Sequence, residues 1–174
     1  TNKFTLESGS VTLNNQMVVN EVINNLTADK FVINSAGLYQ QNPTDKAIGE
    51  FTVIQNSSPM ILNDATLWSS PVKNQNVRSF SPQTLLKRFY KYDEANNKFS
   101  SLFVNDPLYP NPTLSDPFTY NFEPAIGYHI RVAANQNSTV ASPFVGKFVG
   151  ELNTGIITVP ATVNSFGYNL VGNP

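Results

Sequence analysis

The chain contains no cysteine, one histidine and one tryptophan, and only 13% of its 174 residues are Asp, Glu, Lys or Arg, about half the usual share. Without thiols, disulfides, thiolate zinc sites and cysteine nucleophiles are excluded, so stability rests on packing and backbone pairing. A single histidine gives triad chemistry little support. No H-E-x-x-H, G-x-S-x-G elbow or glycine-rich phosphate loop is present either. Eleven basic residues against twelve acidic ones give a formal net charge of -1 with no basic cluster, which argues against nucleic acid and anionic membrane as partners. No apolar run approaches the ~20 residues of a membrane-spanning helix, and no charged start followed by an apolar stretch marks a signal peptide. Helix signals are equally scarce. Only SPQTLLKRF carries one, with Ser81 as a cap and Pro82 at the first helical position, enough for a single turn.

What the chain does have is asparagine, 23 residues of it, with 12 prolines and a 40% hydrophobic content. Its surface is therefore polar through amides and hydroxyls rather than charge. From Lys3 to Gln55 the pattern is short apolar triplets between Asn, Gly and Ser: Val11-Thr12-Leu13, Met17-Val18-Val19, Phe31-Val32-Ile33 and Phe51-Thr52-Val53. These are too short for helices, and turn residues punctuate them. KFTLESGSVTL and KFVINSAGLYQ resemble each other as loose repeats, which suggests solenoid-like strands over residues 1–56; ordinary sandwich strands are the alternative. EVINNLTADK, with two central asparagines, reads as a loop.

Residues 57–174 are richer in proline and aromatics and read as a β-sandwich continuous with the first part. RFYKYDEANNKFSSLFV predicts a hairpin with its turn at Asp93 to Asn97. Alternation places Tyr90 and Tyr92 on one face, expected to be the inner one. Asn105 to Pro117 should be an exposed loop, and GYHIRV, PFVGKFVGEL, GIITVPATV and FGYNLVG should be four strands. In the last of these Tyr168 and Leu170 are expected to point into the core. The fold class is thus all-β, with little helix.

The residues that could carry chemistry read more simply as structure. His129 alternates with Tyr128 and Ile130 and shares a polar face with Arg131, the usual setting of a solvated histidine. Asp93, Glu94 and Asn96 are the best-spaced oxygen donors for calcium, but they lack the glycine and ligand count of a calcium loop. Trp68, in LWSSPV, is expected to anchor the core rather than serve as a sugar platform. Tyr90, Tyr92, Tyr109, Tyr120 and Tyr128 would offer stacking surfaces if several shared an exposed face. Sequons at Asn25, Asn56 and Asn137 are expected by chance in so asparagine-rich a chain.

SAGLYQQN, FTVIQNSSPM, LWSSPV, SFSP, FYKYDEANNKF, GYHIRV, FVGKFVGELNTGIITV and GYNLVGNP, in that order, resemble a region of large flavobacterial surface proteins exported by type IX secretion. In that family the region lies before a C-terminal sorting domain, and the last motif continues as GNPYPS. Leu67 stands where the family commonly has an aromatic, and AIGY at Ala125 to Tyr128 replaces a more glycine-rich turn. The resemblance implies a fragment of a longer, extracellular or cell-surface bacterial protein. The expected function is a non-enzymatic structural or adhesive module that contacts other domains of the same chain, a partner surface protein or a glycan. A carbohydrate-binding module is the alternative, and a glycoside-active enzyme a weaker one. No catalytic, cofactor-binding or metal residue is assigned, and no cofactor is expected.

Overall fold

In the computed structural model, which describes residues 2–40, 42–108, 110–111 and 113–174, the short apolar triplets do become strands. Eight of them lie in the first 56 residues: β1 (Lys3–Leu6), β2 (Val11–Leu13), β3 (Met17–Val18), β4 (Glu21–Asn24), β5 (Phe31–Asn34), β6 (Leu38–Tyr39), β7 (Lys46–Ile48) and β8 (Phe51–Asn56). They stack in three parallel columns, β1-β4-β7, β2-β5-β8 and β3-β6. Each strand thus pairs with the third strand after it, and the chain rises by one tier each time it passes round the three columns.

The pairing corrects the repeat suggested by sequence. Matching Lys3-Phe4 to Lys30-Phe31 equates β1 with β5, but Lys3 pairs with Glu21, and Phe31 pairs with Val11. The tier step also varies. Lys3 to Glu21 is 18 residues and Glu21 to Lys46 is 25, whereas Val11 to Phe31 and Val32 to Thr52 are each 20. Turn length varies between columns and hides the period. EVINNLTADK is likewise not a loop: it supplies β4 and a 3-10 turn, Ala28–Lys30, because Val22 and the buried Asn24 face the interior. The Asn24 amide donates to the carbonyls of Glu50 (2.7 Å) and Thr27 (3.2 Å), which ties the second tier to the third. At the corner above it, Gly49 has φ +94°, and any side chain there would collide with the Asn24 carbonyl.

The interior of the columns is a ladder of apolar residues. Phe31 sits edge-on to Phe51 at 5.0 Å and to Phe4 at 5.7 Å, with Ile33 and Val53 stacked beside them. Phe31, Phe51 and Val22 are wholly buried.

The remaining strands are β9 (Ala65–Trp68), β10 (Phe89–Asp93), β11 (Lys98–Ser101), β12 (Tyr128–Arg131) and β13 (Val145–Gly150). The first four form an antiparallel sheet in the order β11-β10-β12-β9. The fifth pairs antiparallel with β8, so one four-stranded sheet, β13-β8-β5-β2, runs from the second part of the chain into the first. The predicted hairpin forms, with Asp93 opposite Lys98. The two sheets meet through aromatic rings. Trp68, 6% exposed, lies 5.0 Å from Phe80, 5.7 Å from Phe144 and 6.3 Å from Phe148, and Phe80 stacks on Phe148 at 4.5 Å. Trp68 is the core anchor its context suggested.

Three local expectations fail. The α-helical turn is α1 (Val77–Phe80), just before the stretch expected to hold it, because Asn76 is the cap: its Oδ1 accepts from the Ser79 amide at 2.8 Å, and Ser81 instead closes the turn; within SPQTLLKRF the chain makes a 3-10 turn, Leu86–Arg88, with no cap from Ser81. Tyr90 and Tyr92 do share a face, but it is the one opposite Phe89, Tyr128, Ile130 and Trp68; on it Tyr90 is nonetheless buried, beside His129, while Tyr92 is half-buried. GIITVPATV and FGYNLVG form no strand; beyond Leu152 the chain makes only one isolated bridge, Ile126 to Val171. Tyr168 is exposed rather than inward.

Candidate interaction site

A single carboxylate takes up three backbone donors of the C-terminal segment. Glu94, at the tip of the β10–β11 hairpin, accepts from the amides of Asn164 (2.9 Å), Ser165 (2.8 Å) and Gly167 (3.1 Å), and from the Asn164 side chain at 3.1 Å. Those N–H groups can no longer join a ladder. The amides of Ser165 and Asn164, with Gly167 behind them, hold the Glu94 carboxyl down at about 2. Asn169 closes the loop from the other side, accepting from the Thr162 amide at 3.1 Å and donating to the Thr162 carbonyl at 3.0 Å. Residues 162–169 therefore form a tightly bonded loop that turns at Gly167, φ +75°.

That loop holds three apolar side chains out into solvent: Val163, Phe166 and Tyr168 are 81%, 70% and 66% exposed. The Phe166 and Tyr168 rings are 6.5 Å apart and within 21° of parallel. Beneath the loop runs a groove of about 730 Å3, with Tyr92, Glu94 and Lys91 on its hairpin side and Pro160, Leu170 and Val171 on the other. Chemically the arrangement offers flat apolar surface beside hydrogen-bonding groups, which suits recognition of a ligand or partner.

On the outer face of the antiparallel sheet, His129 packs against Phe99 at 4.8 Å, the rings tilted by 33°, and lies 5.4 Å from Tyr90. It is half-buried rather than solvated, a correction to the sequence reading, and its Nδ1 is buried with no hydrogen-bond partner. Burial, with the Arg131 charge added, lowers its pKa. Arg131 itself donates to the Asn63 carbonyl at 3.0 Å, and Arg88 to the Asn63 side chain at 3.2 Å, so both guanidiniums are engaged.

Other candidate residues are absorbed by structure. Tyr120 donates to Glu123 at 2.7 Å, Tyr128 at 3.3 Å, and the Lys91 ammonium lies 2.6 Å from the same oxygen. Burial raises the Tyr120 pKa and pushes Tyr128 up to about 12. Neither ring is a free platform. Asp93 is taken up by the amide and side chain of Asn96, and Glu94 by the loop, so the suggested calcium donors do not converge. Among the described residues no group of three His, Asp or Glu side chains is placed to hold a metal ion. Tyr109 lies outside the described residues, as does Pro112 of the expected 105–117 loop.

The exposed ring pair and its carboxylate anchor escaped sequence reasoning. One signal was available: Asn164-Ser165-Phe166-Gly167 has turn composition, which argues against a strand through it. Comparison with curated proteins and with solved structures finds no match. A family model described as a domain of unknown function, DUF8693, matches residues 2–174, and the chain accordingly belongs to the DUF8693 family.

Proposed function

We propose that the chain is a non-enzymatic structural or adhesive module of a bacterial cell-surface or secreted protein, built as β-solenoid coils that lead into a β-sandwich. The observation that carries this reading is the sheet β13-β8-β5-β2. It begins as stacked parallel strands and ends as an antiparallel pair, so the coils and the sandwich share one hydrogen-bonded surface with no flexible joint between them. Such a unit transmits load and holds its two ends in fixed relation, as a spacer or presenting segment must. The extracellular, type IX setting rests on the LWSSPV and GYNLVGNP motifs. An antibody raised against the chain should label intact cells that carry the parent protein, and external protease should abolish the signal. Labelling only after lysis would refute the surface assignment.

A second reading is favoured by the near-parallel, exposed Phe166 and Tyr168 rings. Flat apolar faces beside hydrogen-bonding groups suit a sugar ring, so the loop would make the module carbohydrate-binding. Glycan-array binding that disappears in Phe166→Ala would establish this reading over the purely structural one.

A further inference from the structure

We propose that the N-terminal end of the parallel columns is a docking surface for one further β-coil, lying parallel and in register on the first tier. This rests on the solenoid reading above. The outer edges of β1, β2 and β3 are all last in their columns, so among the described residues three strands leave a row of backbone N–H and C=O groups unpaired at the same end. The apolar interior is open there as well. Phe4, Val11, Leu13 and Met17 are only partly buried, whereas their partners one tier on include Val22 and Phe31, both wholly buried, and Ile33 at 3%. Repeat stacks end in a polar cap, and sheet edges are blunted by proline, lysine or a covering helix. Of these devices the first tier has only Lys3.

The occupant is identified by what continues each column. Its strands must run in the same direction as β1, β2 and β3, with inward apolar residues over Phe4, Val11 and Leu13. Charge adds a further requirement. The outward column Lys3, Glu21, Lys46 alternates in sign, with Lys3 and Glu21 3.6 Å apart, so the coil should place an acid over Lys3. Similarly Asn14 accepts from the Asn34 amide at 2.9 Å, starting an asparagine ladder that another asparagine would extend. A second copy does not supply such a surface from its far end, because there the outer edge of β8 is already covered by β13.

The test appends a second copy of residues 21–40, EVINNLTADKFVINSAGLYQ, directly before Thr1. This sets a glutamate over Lys3 and an asparagine over Leu6. Hydrogen exchange should slow about tenfold or more at the amides of β1, β2 and β3, as edge strands become central ones. A control extension with its Val, Phe and inward Ile replaced by Asp should give no such protection. Unchanged exchange in β1 to β3, or an extension that protease trims away, overturns the proposal. If the central strands β4 and β5 of the unextended chain are themselves unprotected, the solenoid reading fails first, and the two failures are told apart. Light scattering of the unextended chain gives a further arm: a dimer converted to monomer by Phe4→Lys would assign the surface to a second copy and overturn the assignment to a coil.

Discussion

Gly146 on β13 lies directly against Trp68 and Phe80, and a pair of substitutions there measures how tightly the two sheets are packed. A Cβ at this position would come within 2.8 Å of Trp68 Cζ3 and 2.9 Å of Phe80 Cζ. Neither atom can yield easily, because Trp68 is also held by Phe144 and Phe80 by Phe148 and Phe122. Gly146→Ala should therefore cost about 1–3 kcal/mol as overpacking. Trp68→Ala, which empties the same space, should cost about 3–5 kcal/mol. Independent sites would give a double variant weaker by about 4–8 kcal/mol, the simple sum. Here the new methyl occupies part of the cavity that the indole vacates, so the double variant should recover about 0.5–3 kcal/mol of that sum. Urea denaturation followed by far-UV circular dichroism is the assay, since removing the one tryptophan removes its fluorescence. Costs that add to within about 0.5 kcal/mol would show that the two positions do not share a cavity, and the sheet-to-sheet contact described above would be wrong.

Three other outcomes are expected. The Glu94 carboxyl ionises at about 2 in the folded chain and near 4.5 when free, so its hold on residues 162–167 is fully present above pH 4.5 and is lost as pH falls toward 2. Protection of the Asn164, Ser165 and Gly167 amides, measured against their intrinsic exchange rates, should fall through that window, and Glu94→Gln should abolish the pH step; a step that persists in the variant would assign it elsewhere. Ending the chain after Ser165 removes no strand; it takes away the Gly127-to-Leu170 and Gly172-to-Ala125 hydrogen bonds and the Leu170 contact, a loss of about 2–3 kcal/mol, together with the Gly167-to-Glu94 bond and the solvent-exposed bonds between Asn169 and Thr162. The truncated protein should stay soluble and melt about 4–12 °C lower, and insolubility would restore a core-strand role for the last residues. His129 should titrate by NMR with a midpoint below 6.5, because burial disfavours its charged form, and it should withdraw stability as pH falls through 6.5; a midpoint at or above 6.5 would contradict its packing against Phe99.

Period-two alternation and turn residues were enough to place most strands. The hairpin shows why: Asp93 to Asn97 is a local signal, and the register follows from the turn. The parallel columns were legible only as a suggestion, because each strand has two to six residues and the step between tiers ranges from 18 to 25. No fixed period exists to be read. The choice of face for Tyr90 and Tyr92 was ambiguous for a different reason, since both faces of that sheet carry aromatic residues. The loop at 162–169 was legible only as turn composition at Asn164 to Gly167, because its anchor is Glu94, about seventy residues earlier in the chain. A run such as GYNLVG has the apolar rhythm of a strand, yet Gly167 and the two residues before Phe166 give their amides to a distant carboxylate, and the run keeps only the Ile126–Val171 bridge.

The strand β8 has neighbours that are made at very different times. Its parallel partner β5 precedes it by about twenty residues, whereas its antiparallel partner β13 follows it by about ninety, from Asn56 to Val145. At synthesis rates of about 5–20 residues per second, the β8 edge stands without its partner for about 5–20 s after leaving the ribosome. During that interval it presents Phe51, Thr52 and Val53, an uncharged β-branched and aromatic run, to any other chain nearby. Production of the protein should therefore be limited by events in this window, and slower translation of residues 57–145, or depletion of a holding chaperone, should raise the insoluble fraction without altering the stability of the molecules that finish folding.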